Sequence, residues 1–560
     1  MDSGDSAAPA AGDRLSGLDD AALGHILSFL PATEAARAAV LSRRWRHVFP
    51  AVHTLSFREA ERPFSVGYPW FRLCSYCERA TDDVRAPLFA TGLGAALIGR
   101  DRGARAAAAP LRALRIAFDE YGFLGGDARG AVDAWLTYAA YHAGDALQVD
   151  LRLDGGLVCG REYALLAPGL DAEGDGGGDD DDQALDGNDD HGGEGEDQIM
   201  PMNGDYLEAS SPAAAAGEPC PEATAYVTPR ILFSCATLRS LRLGGCWLDL
   251  PSAIALPSLD ALHLTRITGR RGAVQRLVTA CPRLADLTLE ACNDLTELSV
   301  RHTHLRRLAL RCCHDLAAVA ADSSELRAFE YRGAVPGRGF LSMPRPTKIS
   351  LCTLDFCGEE PAGPPELGFL QPFVGVERMH LTSARLGRGV VGHGAGAFSR
   401  GLEFPALRNL ELTGMLPEDD DAAVAAVTGI LERAPRLETL SLFFLPEPHL
   451  VVTKPYFNKD YADEEQLHAT HKLRYGRHAA ALAVPDVEIP CLRERTREIN
   501  LVHYQGAMAQ RMLAKFLLRN APVVDEVCCE FARGPLSIQT KLMEEIKGWV
   551  MNKSANMMFF

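Results

Sequence analysis

The first 347 residues of this 560-residue chain contain no lysine, and all eight lysines lie from Lys348 onward. A preference for arginine over lysine is the simplest explanation. The segment 162–229 lacks both lysine and arginine, yet it holds 18 of the 74 acidic residues. The formal net charge of −17 therefore comes largely from this segment, and the rest of the chain is close to neutral. A near-neutral body argues against nucleic acid as a partner.

Targeting and membrane signals are also missing. The first 14 residues have neither a basic nor an apolar region, so no secretory signal is visible, and no apolar run reaches the roughly 18 residues of a membrane span. The 15 cysteines are odd in number and scattered, which favours free thiols in a reducing compartment. We therefore expect a cytoplasmic or nuclear protein without a membrane partner, and its length predicts more than one domain.

Motifs for bond chemistry are lacking too. The chain has no serine-elbow, H-E-x-x-H or phosphate-loop motif, and the G-x-G-x-x-G match at 387–392 precedes a loop-like stretch instead of a helix. The Cys74 and Cys77 pair is a lone C-x-x-C, and the run 312–314 (Cys-Cys-His) is interpreted as core thiols. The sequence predicts no catalytic residue, no metal site and no cofactor.

Residues 13–57 form a candidate N-terminal module. An apolar stripe at helical spacing predicts a first helix that Asp19 or Asp20 caps and Pro31 ends. We expect Thr33 to cap a second helix running to about Leu41, and Ser42 to cap a short third one. Three short helices make a very small core, so such a module usually leaves an apolar face for a partner.

This module resembles the F-box of plant F-box proteins, through the runs 13–16, 26–31 and 41–46 together with Leu18. One departure is Asp19, which stands where the family usually has proline. The resemblance implies docking onto the Skp adaptor of a Skp–cullin–F-box ubiquitin ligase. It also implies these adaptor-binding residues: Leu15, Leu18, Ile26, Leu27, Leu30, Pro31, Leu41, Ser42 and Trp45.

A repeat of the form L-x-x-L-x-L begins at Leu238 and returns at Leu259, Leu284, Leu305 and Leu326. Its spacing of 21 to 25 residues is typical of leucine-rich repeats. Further copies begin at 111, 147, 376, 407 and 437, and we expect helices over about 130–141, 273–280 and 422–433. Fainter copies at 295 and 316 are either strands or the non-strand halves of repeats. The array is predicted to span 105–445.

The acidic segment interrupts this array. Residues 171–197 hold 13 acidic residues and eight glycines, which predicts disorder because little apolar surface is available for burial. We interpret 168–228 as a disordered insertion, residues 1–12 as a disordered N-terminus and 450–490 as a linker. The insertion is either a tolerated solvated loop or a site for a basic partner.

Residues 491–560 show the order strand, helix, strand, helix, strand. They resemble the FBD domain of plant F-box proteins, through Tyr504–Gly506, the stretch 514–521 and the aromatic terminus. We expect this segment to cap the open end of the array. The predicted fold class is α/β: a three-helix F-box, a leucine-rich-repeat solenoid shaped as a horseshoe, and an FBD-like α/β cap.

The resemblance implies a non-catalytic substrate receptor of the ligase, held to the cullin by the Skp adaptor. An unknown target protein would bind outward-pointing strand positions of the repeats, for which the candidates are Arg242, His263, Thr288, Glu411 and Ser441. Two alternatives stay open. One is an interaction scaffold outside ubiquitination, and the other is an acidic-tract protein that binds basic nuclear partners.

Overall fold

The computed structural model describes residues 17–41, 44–59, 85–103, 108–118, 128–153, 158–159, 226–301, 303–337, 339–344, 348–357, 369–387, 402–416, 423–445, 472–475 and 487–560. Leu15, Ser42, Cys74, Cys77 and the acidic run 171–197 lie outside these residues. So do 1–12, most of 450–490 and all of the glycine motif except Gly387.

One open sheet of 15 parallel strands organises the chain, with β1 at one end and β21 at the other. In spatial order the strands are β1 (Thr54–Arg58), β2 (Leu111–Ala117), β3 (Ala143–Arg152), β5 (Leu238–Gly244), β7 (Ala261–Thr265), β9 (Asp286–Glu290), β11 (Arg307–Arg311), β13 (Ala328–Gly333), β15 (Leu351–Phe356), β16 (Arg378–Arg385), β17 (Asn409–Met415), β18 (Thr439–Leu445), β19 (Glu498–Tyr504), β20 (Glu526–Phe531) and β21 (Asn556–Phe559).

Two three-stranded parallel sheets lie beside it, with their strands placed between those of the main sheet in the chain. They are β4 (Tyr226–Val227), β6 (Cys246–Leu248) and β8 (Thr268–Gly269), and β10 (Glu297–Val300), β12 (Ala318–Ala321) and β14 (Leu341–Ser342). The fainter copies at 295 and 316 lead into β10 and β12. Those copies are therefore strands, although not strands of the main sheet.

The helices flank the strands. They are α1 (Asp20–Leu27), α2 (Ala32–Arg37), α3 (Arg85–Gly103), α4 (Ala128–Tyr141), α5 (Ala273–Thr279), α6 (Ala423–Leu431), α7 (Pro490–Glu494), α8 (Met508–Asn520) and α9 (Leu536–Trp549). No helix in the described part of the chain is long and apolar enough to cross a membrane. The three helices predicted within the array are confirmed as α4, α5 and α6.

The repeat motif explains why the strands bury one face. In β5 the side chains of Leu238, Leu241 and Leu243 are 0% exposed, which matches the three leucines of L-x-x-L-x-L. Because side chains alternate along a strand, the residue between the last two leucines points to the opposite face. One continuous core, from Leu23 to Ala555, is built in this way.

The N-terminal module differs from the prediction in three details. The first helix ends at Leu27, four residues before Pro31. The second helix begins at Ala32 with Pro31 as its N-cap residue, so Thr33 is not the cap. The predicted third helix is a pair of 3₁₀ turns, Trp45–His47 and Phe49–Ala51. Proline fixes φ near the value of a first helical turn, which explains the earlier start of α2.

The C-terminal order of strand, helix, strand, helix, strand is confirmed as β19, α8, β20, α9 and β21. These strands continue the main sheet in parallel, since β18 pairs with β19 through Leu440 and Ile499. At the other end, β1 pairs with β2 through Leu55 and Leu114. The sheet thus extends beyond 105–445 in both directions, because the flanking segments carry further strands that pair in parallel with those of the array.

Candidate functional site

The first helix of the F-box-like module is capped as the sequence predicts. The Asp19 carboxylate accepts a hydrogen bond from the Ala22 N–H at 2.7 Å. Asp20 lies in the first turn, and the Arg44 guanidinium both donates to the Leu18 carbonyl oxygen and lies 3.9 Å from the Asp20 carboxylate. Asp19 is therefore the N-cap residue of α1.

The helix packs closely against the 3₁₀ turn Phe49–Ala51. An added Cβ at Gly24 would lie 2.6 Å from the carbonyl carbon of Ala51, so only glycine fits this contact. The Ser28 hydroxyl donates to the Gly24 carbonyl at 2.7 Å and accepts from the His53 N–H at 3.1 Å. These contacts fix α1 against the start of the sheet.

Five large apolar side chains of this module remain exposed. They are Ile26 (41%), Phe29 (78%), Leu30 (39%), Val40 (85%) and Leu41 (74%), here called the apolar patch. Exposed apolar side chains within 16 residues of chain, over a core this small, make this segment a candidate surface for a partner. Phe29 and Val40 were missed as candidate binding residues, because the sequence shows which positions are apolar but not which are exposed.

The predicted adaptor-binding residues divide into two groups. Leu27 is 4% exposed, and Leu18 and Trp45 are partly buried against the core, so these three hold the module together. The side chains of Ile26, Leu30, Pro31 and Leu41 are exposed and remain candidates for binding. Leu27 was predicted as a docking residue and is corrected to a structural one, since its side chain faces the core.

A fully buried arginine ties the module to the first strands. Arg100 of α3 is 0% exposed, and its guanidinium donates to the Val52 carbonyl at 3.0 Å and to the Tyr138 hydroxyl at 2.9 Å. It also donates to the Ala109 carbonyl oxygen. Breaking such a buried set of hydrogen bonds is costly, so the module is held in one orientation relative to the repeats.

The predicted target-binding residues fall in one row across the main sheet. Backbone pairing places Arg242 opposite His263 and His263 opposite Thr288. It likewise places Glu411 opposite Ser441. The residues of this row, here called the outer row, are Arg242, His263, Thr288, Ala309, Glu330, Thr353, His380, Glu411, Ser441 and Asn500.

Every member of the outer row from 242 to 500 occupies the fifth position of its repeat motif. Glu330 and His380 were missed as candidates, although the same spacing rule finds them. Thr353 and Asn500 lie in segments where Ile349 and Thr496 stand in place of the first leucine, so the rule does not find these two. Thr288 is 2% exposed and Ala309 is 0% exposed, so neither offers surface to a partner. Thr288, predicted to point outward to a target, is corrected to a buried residue of this face. Longer charged side chains lie on the same and neighbouring strands.

Those charged side chains form a connected network over β7 to β13. The Glu330 carboxylate accepts from Arg307 at 2.8 Å and from Arg311 at 2.5 Å. Arg307 also lies 3.5 Å from Asp286, and Arg311 lies 3.7 Å from Glu290. Within this network two arginines face three carboxylates, so most of its charge is neutralised internally.

His263 and Glu290 form the buried end of this network. The His263 Nε2 atom lies 3.7 Å from the Glu290 carboxylate, which also accepts from the Thr265 hydroxyl at 3.0 Å. Burial lowers the pKa of His263. Burial opposes ionisation of Glu290, but the nearby His263 ring and the charge of Arg311 together hold its pKa below the usual value.

Two family models match the chain. Residues 15–52 match the model described as F-box domain, and residues 216–338 match the model described as FBD-associated F-box protein At5g56370, LRR repeats. The apolar patch lies within the first match. Five members of the outer row, Arg242, His263, Thr288, Ala309 and Glu330, lie within the second.

The chain is similar to several proteins of Arabidopsis thaliana. It is 39% identical to F-box protein At4g09920 over 88 residues, which is 15% of this chain and 28% of that protein. It is 36% identical to FBD-associated F-box protein At4g10400 over 88 residues, which is 15% of this chain and 22% of that protein. It is 42% identical to the putative F-box/FBD/LRR-repeat protein At5g62970 over 64 residues, which is 11% of this chain and 14% of that protein. These matches span less than a third of each relative. The chain carries an F-box domain followed by FBD-associated leucine-rich repeats, the combination that characterises the F-box/LRR-repeat proteins.

Proposed function

We propose that this chain is a substrate-recognition subunit of a Skp–cullin–F-box ubiquitin ligase. The F-box docks onto the Skp adaptor, which links the chain to the cullin, and the outer row binds a target protein. The chain performs no bond chemistry itself. It raises the effective concentration of the target near the ubiquitin-loaded enzyme, in the cytoplasm or the nucleus.

The observation that carries this proposal is the apolar patch. Phe29 and Val40 are 78% and 85% exposed, although burying such a side chain is worth about 2 kcal/mol. The patch combines Ile26 of α1 with residues of the turns that follow α1 and α2, and exposed apolar anchors of this kind bind a hydrophobic groove. An adaptor surface that accepts these anchors gains apolar burial from each of them.

The outer row offers a polar surface beside the self-paired network. The His380 Nε2 atom lies 3.8 Å from the Glu411 carboxylate, and these side chains are 40% and 33% exposed. Ser441 and Asn500 follow on the next strands, where the Asn500 amide donates to the Ser441 hydroxyl at 3.1 Å. Polar groups held in place by neighbours favour recognition of a partner by complementary hydrogen bonds and charges. Arg242 and His263 extend this surface toward the N-terminal strands.

Binding to a Skp adaptor tests the F-box half of the proposal. The full chain is expected to co-purify with the adaptor and to bind it at micromolar protein or below. The double substitution Phe29→Asp and Val40→Asp is expected to weaken this affinity at least roughly 30-fold, the equivalent of about 2 kcal/mol. Isothermal titration calorimetry measures the change.

Leu536→Asp is the matched control, since Leu536 is 76% exposed at the start of α9, far from the F-box in the chain. This variant is expected to bind the adaptor normally. A wild-type chain that does not bind the adaptor refutes the ligase role and favours the scaffold alternative. Deletion of 171–197 tests the remaining alternative, because a partner that still binds afterwards does not use the acidic tract.

A further inference from the structure

Three thiols and one imidazole from distant parts of the chain meet at one edge of the sheet. Cys159, Cys312, His314 and Cys357 place one ligand atom each within 4.8 Å of all the others. The Cys159 Sγ atom lies 3.3 Å from His314 Nε2 and 3.7 Å from Cys357 Sγ, and Cys357 Sγ lies 4.0 Å from His314 Nε2. The three cysteines are buried and the histidine is half-buried.

Parallel topology explains why these residues meet. Cys312 follows β11 directly, Cys357 follows β15 directly, and Cys159 lies in the segment after β3. All carboxyl ends of parallel strands lie at the same edge of a sheet. The turn after β11 is fixed by the Cys312 N–H, which donates to the Arg332 carbonyl at 2.5 Å, and Cys312 itself has a left-handed φ of 52°. Such a turn brings Cys312 and His314 to the same cluster although only one residue separates them.

The distances among the ligand atoms of Cys159, His314 and Cys357 match a tetrahedral metal site and not a disulfide. Zinc bonds of about 2.3 Å to sulfur and 2.0 Å to nitrogen give tetrahedral edges of about 3.7 Å between sulfurs and about 3.5 Å between sulfur and nitrogen. The observed separations of 3.7, 3.3 and 4.0 Å lie close to these values. A disulfide would require about 2.05 Å.

The neighbouring cysteines behave differently. Cys313 Sγ donates to the Leu289 carbonyl at 3.6 Å, and Cys246 Sγ donates to the Gly244 carbonyl at 3.4 Å, as core thiols do. Cys313 is therefore a core thiol, as the sequence-based interpretation of 312–314 has it. Cys312 is buried too, and it lies in the cluster as well. The His314 ring makes its polar contacts through Nε2 toward the thiols, and its buried Nδ1 atom has no hydrogen-bond partner among the described residues.

We propose that Cys159, Cys312, His314 and Cys357 bind one structural zinc ion. A Cys₃His set is a standard zinc donor set, and four protein ligands leave no open position for catalysis. Without a cation, the contact with Cys159 raises the pKa of Cys312 above its ordinary value and that of Cys357 to about 11. Zinc stabilises the thiolate forms, and the protons leave to solvent as it binds.

The ion would link the segments that follow β3, β11 and β15, three strands that are not adjacent in the main sheet. Cys159 is 155 residues from His314 and 198 residues from Cys357. The site would fasten the segment after β3 across the sheet edge to the turns after β11 and β15. Because the acidic insertion follows Cys159 in the chain, zinc would also fix the point at which that insertion leaves the array.

Metal analysis of the full chain purified with its adaptor tests the site. We expect one zinc ion per chain by mass spectrometry, and thiolate-to-metal charge-transfer bands when cobalt replaces zinc. Cys159→Ser and His314→Ala are each expected to lower zinc affinity by roughly two orders of magnitude. Removal of zinc by a chelator is expected to lower the melting temperature of the wild type but not of Cys159→Ser.

Two controls separate this site from other cysteines. Cys313→Ser, adjacent to the cluster, and the double variant Cys74→Ser and Cys77→Ser are both expected to retain the zinc ion. The proposal is overturned if reduced wild-type protein binds no zinc, or if zinc is lost in the Cys74 and Cys77 variant instead of in Cys159→Ser. Peptide mapping that finds a Cys159–Cys357 disulfide in freshly isolated protein would also overturn it.

Discussion

At the residue scale, two positions decide how the F-box is held. Gly24 allows α1 to touch the backbone of Ala51, and Arg100 satisfies carbonyl oxygens on both sides of the junction between the F-box and the sheet. Neither residue is exposed, so each acts on binding only through the placement of the apolar patch. Substituting either residue is therefore expected to change the stability of the fold first, and partner binding only through it.

Gly24→Ala is expected to destabilise the protein by about 2 kcal/mol, because the new methyl group must displace the Ala51 backbone. Urea denaturation of the full chain measures this loss. Gly99→Ala in α3 is the control, since an added Cβ there meets nothing within 4 Å. Removing a helical glycine at that open site is expected to leave stability unchanged or to raise it by about 0.5–1 kcal/mol. Equal losses in both variants would contradict the packing argument.

At the scale of the single strand, the repeat motif fixes what each side chain faces. Its three apolar positions enter the core, and its fifth position joins the outer row, as His263 does in β7 and Glu411 does in β17. The motif does not determine exposure, because exposure also depends on the length of the neighbouring side chains. Thr288 is only 2% exposed, whereas the side chain of His380 at the same motif position is 40% exposed.

Stability is expected to fall as the pH decreases from 7.5 to 5.5, and His263→Gln is expected to reduce this fall. The folded protein lowers the pKa of His263, so below about pH 6.5 the unfolded chain binds a proton that the folded chain resists. The lowered pKa of Glu290 acts in the same direction but only at more acidic pH, where an unfolded carboxylate begins to protonate. Denaturation at both pH values measures the effect, and identical pH dependence in wild type and variant would contradict it.

At the scale of the whole molecule, the F-box and the repeats share one sheet. Strand β1 follows the F-box helices directly and pairs with β2 from Thr54 to Arg58. The Arg100 guanidinium donates to the Val52 carbonyl at the same junction. The described contacts therefore leave no free hinge between the F-box and the repeats. The module that carries the apolar patch is thus tied directly to the sheet that carries the outer row.

The distribution of lysine has a consequence for a ligase subunit. Without lysine in its first 347 residues, this part of the chain offers no side-chain amine for self-ubiquitination. Arg102→Lys places an amine at an exposed site of α3 without changing charge, and it is expected to shorten the lifetime of the protein in cells severalfold. Arg493→Lys, in the lysine-containing part, is the matched control. Cycloheximide-chase half-lives compare the two, and an unchanged half-life for Arg102→Lys would reject this interpretation.

Much of the fold follows from the sequence because the signal is local. The strands at 238, 259, 284, 305 and 326 and the helix Met508–Asn520 were predicted from periodicity alone. Strands β1 and β15 and helix α3 were not, since their segments lack the full motif and are held by pairing with neighbours. The apolar face of the N-terminal module was predicted, but the exposure of Phe29 and Val40 and the Cys₃His cluster were not. Both depend on how tertiary structure covers residues or brings distant ones together.

The continuous sheet also sets how far a bound target lies from the adaptor. Neighbouring strands are about 4.8 Å apart, so fourteen steps separate β1 from β21 by about 67 Å measured along the sheet. A target bound on β5 and one bound on β18 would therefore present different lysines to the ubiquitin-loaded enzyme. The strand that a target occupies, and not only its affinity, would decide which of its lysines is modified.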